Sequence, residues 1–530
     1  MNLWPTTLAL IAAAGVAVGV VAMTRPAPRT VDVLADVGAA LTPELTDPLA
    51  VRSLSVVSFD EQAVRVRAFE VASDGKQWTV PSAFNYPADA TEKMAQAATA
   101  FVGLKRERVV SDNKADHAKL GVLDPTDETA VGTTGRGTRV TMRDASGKVL
   151  ADLIIGPAAP AAEGGTVNAA RRYVRETGKP RVYVSTIEGA FSTRFADWVE
   201  TDLLKLRADQ VTRVDIQRYS IDEKTGRVSS PSAVGLGRAR VSADPSKPAD
   251  QFSPWGPWTL EASPGGPPAA GESVNSTRAQ DALNALAALR ITGVRPKPAN
   301  LVKLLSAADA SVALSPADQA SLQRHGFFVA SDGALVANEG QMSVRADDGV
   351  VYSLWFGELA SEADAAASGG QVGGQSAGEQ KAGSEGEAAT RKTSSRFVMV
   401  TTSFDESVHT APAEPAELTT LKAAEAAATA EAPLSEDQKK RLSELRASHQ
   451  TALDAHKAKV DEARKRSAEL ARRFAAWYYL VDLQSLDAIR PTREQLIQAA
   501  QPAAGSAPAN ADTPPFPPTP LAPASAAPGQ

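Results

Sequence analysis

The chain has 530 residues, 43% of them hydrophobic, and a net charge of −6 at pH 7. That length holds two or three ordinary domains with a real core, and the acidic balance, with a pI of about 5.6, offers no global basic field to nucleic acid. Cysteine is absent, which excludes disulfides, thiol catalysis and cysteine-based metal sites.

The first element is an uncharged apolar run, Leu8–Met23. With Leu3 and Trp4 it approaches the roughly 20 residues that span a bilayer as helix, and the Pro-rich TRPAPRT follows it. A transmembrane anchor is expected over residues 1–24. A cleaved signal ending at Val20-Val21-Ala22 and a buried helix are the competing readings. Long downstream domains translocate largely regardless of flanking arginines such as Arg25 and Arg29. The expected placement is therefore single-pass in the inner (cytoplasmic) membrane, with the bulk of the chain extracytoplasmic.

Residues 25–50, rich in Pro, Thr and Ala, are expected to be a linker. A first module is expected over 51–210. Leu54–Phe59 and Ala63–Val71 alternate with period two, as strands do, and Asp74-Gly75 turns the chain into a hairpin ending at Trp78. Asp89 is the expected N-cap of a helix whose Met94, Ala97, Ala98, Phe101 and Val102 recur at helical spacing. A strand pair, GTRVTMRDASGKVLADLIIG (Gly137–Gly156), then RRYVR and VYVS, completes this part.

The same order returns over 211–490. VTRVDIQRYS begins it, and PWTL leads to a helix with Leu283, Leu286 and Leu289, capped at Asn275 or Ser276. GQMSVRADDGVVYSLWFG (Gly340–Gly357), SRFVMV and WYYLVDLQSL follow. Two stretches are extra. Residues 360–395 are Gly, Ser and Glu rich and expected to be disordered. Ser435 caps a long charged helix over 435–476, either solvated or half of a helical hairpin with the Ala-rich 411–433, or else a coiled coil. TREQLIQAA is expected as a short helix, and 491–530 as a disordered Pro/Ala tail. The expected fold class is thus α+β: two tandem modules of antiparallel sheet plus helix, one N-terminal transmembrane helix, and a long charged helix inserted in the second module.

WTVPSAFNYPADATEKMAQAATAFVGLKRERVV, KLGVLDP (Lys119–Pro125), the hairpin ending LIIG, RRYVR, VYVS and DWVETDLLKLRADQVTRVDIQ resemble an uncharacterised domain family often encoded beside gliding-motility-type ABC transporters. The resemblance covers residues 50–220 well. It extends more loosely to the second module, where LQRHGFF stands in the place of KLGVLDP. It implies a membrane-anchored extracytoplasmic α+β protein and brings no catalytic residues.

No constellation suggests a reaction. Gly374-Gln375-Ser376-Ala377-Gly378 has the letters of a nucleophile elbow but lacks the strand and helix that an elbow requires. The five histidines, His117, His325, His409, His449 and His456, show no metal-ligand spacing. Gly132–Gly137 lacks the Gly-Lys-Ser/Thr of a phosphate loop, and Asp347-Asp348 suits a hairpin turn. Asn275-Ser276-Thr277 has the form of a glycosylation sequon but reads more simply as a helix cap. Trp255 and Trp258 flank Gly256-Pro257, either as an exposed platform or, for Trp258, as a packing residue like Trp78. No catalytic, cofactor-binding or metal residue is therefore expected, and no cofactor. The expected function is a non-catalytic accessory protein, auxiliary to an ABC transport system, with its permease or ATPase subunits and the membrane as partners and no nucleic acid. The alternatives are a structural envelope protein self-associating through 435–476, or an envelope hydrolase.

Overall fold

The computed structural model describes residues 36–499 apart from 62–63, 131, 161–167, 190, 223–226, 243–252, 262–268, 270, 307–313, 331–333, 362–363, 365–393 and 429–432. The first strands in chain order are β1 (Ser53–Asp60), β2 (Arg65–Ser73), β3 (Trp78–Val80) and β4 (Tyr86–Pro87), followed by helix α1 (Thr91–Thr99). Next come β5 (Arg108–Ser111), β6 (Thr138–Arg143), β7 (Val149–Ala158), β8 (Arg171–Glu176) and β9 (Val182–Thr186). They form one antiparallel sheet in the order β4-β3-β2-β1-β6-β7-β8-β9-β5.

The second series is β10 (Val211–Ile221), β11 (Val228–Gly237), β12 (Thr259–Leu260), β13 (Glu272–Val274), α2 (Ser276–Ala287), β14 (Ile291–Pro296), α3 (Ala299–Ser306), α4 (Pro316–Arg324), β15 (Phe327–Val329) and β16 (Leu335–Ala337). It continues with β17 (Gln341–Ala346), β18 (Val350–Leu359), β19 (Ser395–Phe404), α5 (Ala416–Ala427), α6 (Glu436–Ala475), β20 (Trp477–Asp482), α7 (Leu483–Ala488), α8 (Arg493–Leu496) and β21 (Ile497–Ala499). The second large sheet runs β12-β11-β10-β17-β18-β19-β20-β14, and β13–β21 and β15–β16 are two-stranded pairs.

The two orders coincide. Taken from β3 and from β12, the eight strands of each sheet occupy the same places in the same chain sequence, and each sheet ends on the strand that follows its helix. The irregularities coincide too. The register slips between Ile155 and Ala158 on β7 and between Phe356 and Leu359 on β18. Gly156 and Gly357 stand at these slips. A Cβ on Gly156 would meet the carbonyl oxygens of Leu120 and Gly121 at 2.9 Å, and one on Gly357 would meet His325 O at 2.1 Å. The apolar-Gly endings are therefore places where a second stretch of backbone crosses the strand too closely for a side chain.

Alternation dictates the inner faces. Leu54, Val56, Phe69, Val71, Val140, Met142, Leu153 and Ile155 point inward from the first sheet. Val214, Ile216, Val344, Tyr352, Leu354, Phe356, Val398 and Val400 do so from the second, and all belong to one continuous hydrophobic core. The weld includes an aromatic contact: the Tyr86 ring lies 5.0 Å, edge-on, from Trp477. Backbone bonds cross as well, from Leu203 N to Leu289 O at 3.0 Å and from Ile291 N to Thr201 O at 2.9 Å. The outer face of the second sheet carries its own cluster, in which Leu301, Leu322, Phe327, Phe397, Met399 and Tyr478 are buried.

Helix α6 has 40 residues, about 60 Å of helix. Ser435 accepts from Gln438 N at its start in a capping box. Its first half pairs with α5, where Arg441 meets Glu417 and Arg446 meets Glu425. Its second half lies on the sheet through Val460, Ala463 and Phe474, and Thr402 donates to Ser467 O at 2.9 Å. The apolar stripe is thus consumed within the chain.

Several expectations need correction. Among the described residues no helix is long and apolar enough to cross a membrane, and α6, the longest, is charged along its whole length. The α+β class stands as mostly sheet; the described residues hold no membrane-spanning helix, against the expectation of one at the N-terminus. That finding runs against the expected single-pass inner-membrane placement with an extracytoplasmic bulk, for which the described residues supply no span. The anchor residues 1–24, most of 360–395 and the tail from 500 lie outside the described residues. Residues 36–50 are not a free linker: Leu41 and Leu45 are buried in the core, and Leu41 N donates to Leu104 O at 2.7 Å. Asp89 does not cap α1, because Ala90 occupies that position and no side chain caps it; the Asp89 N–H donates to Trp198 O at 2.9 Å. TREQLIQAA is helical only to Leu496, after which Ile497 pairs with Val274 as strand.

Candidate functional site

Where β10 begins and β11 and β17 end, three chain segments and one face of α6 enclose a cleft of about 880 Å³. A slip in the antiparallel register sets its floor: Arg213 pairs with Gly237 on one side and with Arg345 on the other, but the β10–β17 register shifts between Val211 and Arg213, and Thr212, Arg238 and Arg345 line the cleft there. The turn Asp347-Asp348-Gly349 follows β17. Gly349 has φ +81°, and a Cβ there would meet Asp405 O at 2.7 Å, so glycine is what lets the turn close on that segment. Lys459, Glu462, Ala463 and Arg466 of α6 form the far wall, with His409 beside them.

Trp255 lines the cleft. Beyond β11 the chain is bridged back on itself, Arg240 opposite Trp255, with Gly256 N donating to Ala239 O at 2.8 Å. The Arg240 guanidinium carbon lies 3.9 Å from the Trp255 ring centroid. That of Arg238 lies 4.8 Å from Trp255 and 4.7 Å from the buried Trp258. Arg238 donates Nε to Val211 O at 2.8 Å and Nη2 to Ala208 O and Asp209 O at 3.0 and 2.9 Å. Burial lowers its pKa, yet the guanidinium keeps its charge.

The lining carries five cationic side chains, Arg238, Arg240, Arg345, Lys459 and Arg466, against three acids, Asp347, Asp348 and Glu462. Arg466 Nη1 donates to Asp348 Oδ2 at 2.5 Å, Arg345 Nη1 to Asp405 Oδ2 at 3.0 Å, and Arg240 Nη2 stands 3.7 Å from Asp347 Oδ2. Burial, and then the Asp348 charge, push the Asp347 carboxyl above its ordinary range. His409 Nε2 lies 2.8 Å from Asp348 O, and His456 Nε2 lies 3.2 Å from His409 O. Arrays of arginine with a tryptophan suit recognition of carboxylate-type anions and planar groups.

Of the candidates weighed in the sequence, the cleft takes in Asp347-Asp348, Trp255 and His409. Asp347-Asp348 is the turn that spacing suggests, and Trp258 is buried as a packing residue. His117 Nε2 is 2.7 Å from Pro180 O, and His325 Nδ1 is 2.6 Å from Ser321 O. Among the described residues no group of three His, Asp or Glu side chains could hold a metal ion. Asn275 caps α2 through Arg278 N at 3.1 Å. Gly132 and Gly135 are loop residues with positive φ, and the Gly374–Gly378 motif lies outside the described residues. Sequence reasoning missed Arg238, Arg240, Arg345 and Arg466 as one group. Their separation along the chain hides it, and only the strand register brings them together.

Residues 78–306 match the model of a family described as a domain of unknown function, DUF4340. The chain thus carries a domain of that uncharacterised family. The matched stretch runs from β3 to the end of α3 and so straddles the two sheets instead of coinciding with either. No curated protein and no solved structure matches the chain.

Proposed function

We propose that the chain is a non-catalytic accessory protein built from two tandem copies of one sheet-and-helix unit, serving as an auxiliary component of an ABC transport system by docking on its permease or ATPase subunits. The observation that carries this reading is the repeated strand order, with the register slip and its glycine repeated in each sheet. A frame used twice and welded through one core offers a broad, fixed surface, and a fixed surface is what docking needs. The cleft adds arginine and tryptophan, the residues on which interface binding energy concentrates. The sequence resemblance to a family encoded beside such transporters supplies the choice of partner.

The test is in-cell crosslinking of the full chain carrying a C-terminal tag, followed by solubilisation and mass spectrometry of the adducts. Recovery of a permease or ATPase subunit is the expected result. Recovery of this chain alone would overturn the docking reading and favour self-association through residues 436–475.

A further inference from the structure

We infer that the cleft at the start of β10 docks an acidic peptide segment of a partner protein, with Trp255 and the guanidinium groups around it as the anchor. The inference rests on the docking function proposed above and names the chemistry of the partner's contacting segment. Cationic side chains outnumber acidic ones in the cleft by five to three, within a chain whose net charge is −6. The positive character is therefore local, and it selects an acidic segment over a basic one.

The anchor is already built. Arg238 is tied to three backbone carbonyls, and the Trp255 ring lies against both Arg238 and Arg240. Little ordering remains to be done on binding, and preorganisation of this kind favours affinity. Arg240 also has a partner that a ligand can replace. Asp347 stands 3.7 Å away, at the outer limit of an ion pair, and its charged form is disfavoured by burial and by Asp348. An arriving carboxylate that approaches in line can form the closer, forked contact.

The first sheet repeats the arrangement on a smaller scale. At its corresponding end a cleft of about 510 Å³ is lined by Arg52, Lys76 and Trp78, with no acid among its lining residues. Trp78 opens β3 as Trp258 precedes β12. What recurs at this end of both sheets is the cationic lining, Arg52 and Lys76 in the first; Trp78 answers to the buried Trp258, and the anchor Trp255 belongs to the second sheet alone.

The test is fluorescence polarisation of the full chain with fluorescein-labelled acetyl-hexaglutamate amide at low ionic strength. Binding is expected, weakening as salt rises, with no binding of labelled hexalysine. Arg240→Gln with Arg466→Gln should weaken hexaglutamate binding at least tenfold. Arg441→Gln with Arg446→Gln, on the α5–α6 hairpin away from the cleft, should change it less than twofold. Circular dichroism melts of both double variants establish that they fold. Equal binding by the cleft variant, equal binding of hexalysine, or absence of hexaglutamate binding would each overturn the inference. Displacement by inorganic phosphate at equal concentration would overturn it too, as the mark of a small-anion site. The cleft variant also separates this inference from the docking function. Undiminished recovery of a transport subunit by that variant in the crosslinking experiment would overturn the cleft's role alone. Peptide binding without any recovered subunit would overturn the function alone.

Discussion

Replacing Lys297 with methionine should make the protein more stable at neutral pH and remove a steep dependence of stability on pH. Lys297 follows β14 and is 6% exposed. Its Nζ donates to Phe474 O at 3.0 Å and lies 5.2 Å from the Tyr478 ring centroid. Among the described residues no carboxylate is paired with it, and burial pushes its pKa from 10.5 down to about 7. The last-turn carbonyls of α6 pull the other way, but a cation at a helix C-terminus gains only about 0.3–2 kcal/mol. The burial shift of 10.5 to about 7 corresponds to about 5 kcal/mol at about 1.4 kcal/mol per unit, so burial wins. The unfolded chain holds the proton up to pH 10.5, whereas the folded one releases it near 7. Between these values the unfolded state binds more protons, so stability rises with pH. Between pH 7 and 9.5 the gain is about 3 kcal/mol. Lys297→Met keeps most of the stem volume, and the N–H of Ala476 still reaches Phe474 O, so the lost hydrogen bond costs about 1 kcal/mol. Urea unfolding of both proteins at pH 7, 8 and 9.5 gives the difference directly, because the other titrating groups are common to both. The variant should lead by about 3–4 kcal/mol at pH 7, a lead that shrinks steadily towards pH 9.5. A difference independent of pH would show that Lys297 stays charged in the fold and would refute the reasoning.

Acid should act through the buried histidines. His117 and His325 both have pKa values lowered chiefly by burial, so the unfolded chain takes up their protons first and stability falls as pH drops below about 6.5. His325→Phe, which keeps the ring against Tyr478 and Phe397, should make that fall shallower between pH 6.5 and 5 in urea titrations. Gly357→Ala places a Cβ 2.1 Å from His325 O and 2.7 Å from the Phe327 ring. It should cost about 3 kcal/mol, against about 1 kcal/mol for Gly178→Ala, where only the positive φ is at stake; thermal unfolding compares the two. Phe474→Ala empties a fully buried site beside Tyr352 and Tyr479 and should cost about 3–5 kcal/mol, read by chemical denaturation.

Much of the frame was legible because it is local. The alternation of β1 and β10, the Asp74-Gly75 turn and the Ser435 cap each declare themselves within a short window. β21 was not legible, because Arg493 to Leu496 reads as helix and only pairing with β13 makes Ile497 extended. The capping of α1 escapes sequence reasoning because the helix starts one residue later than Asp89, with Ala90 at the N-cap and no side-chain cap. The cleft was visible only in fragments. Trp255 and Asp347-Asp348 could be singled out, but Arg238, Arg345 and Arg466 look like ordinary surface charge until β10 lies between β11 and β17 and α6 returns over them.

The shared core has a consequence for inheritance. Two units joined by a linker can lose one and keep the other. Here, deleting either would bare the inner faces of Leu54 and Val56, or of Val214 and Ile216, along with the rings of Tyr86 or Trp477. A deletion that removed one unit would therefore be selected against as a folding defect before any question of activity arose. The two sheets therefore fold or fail together, although only the second carries the α5–α6 hairpin.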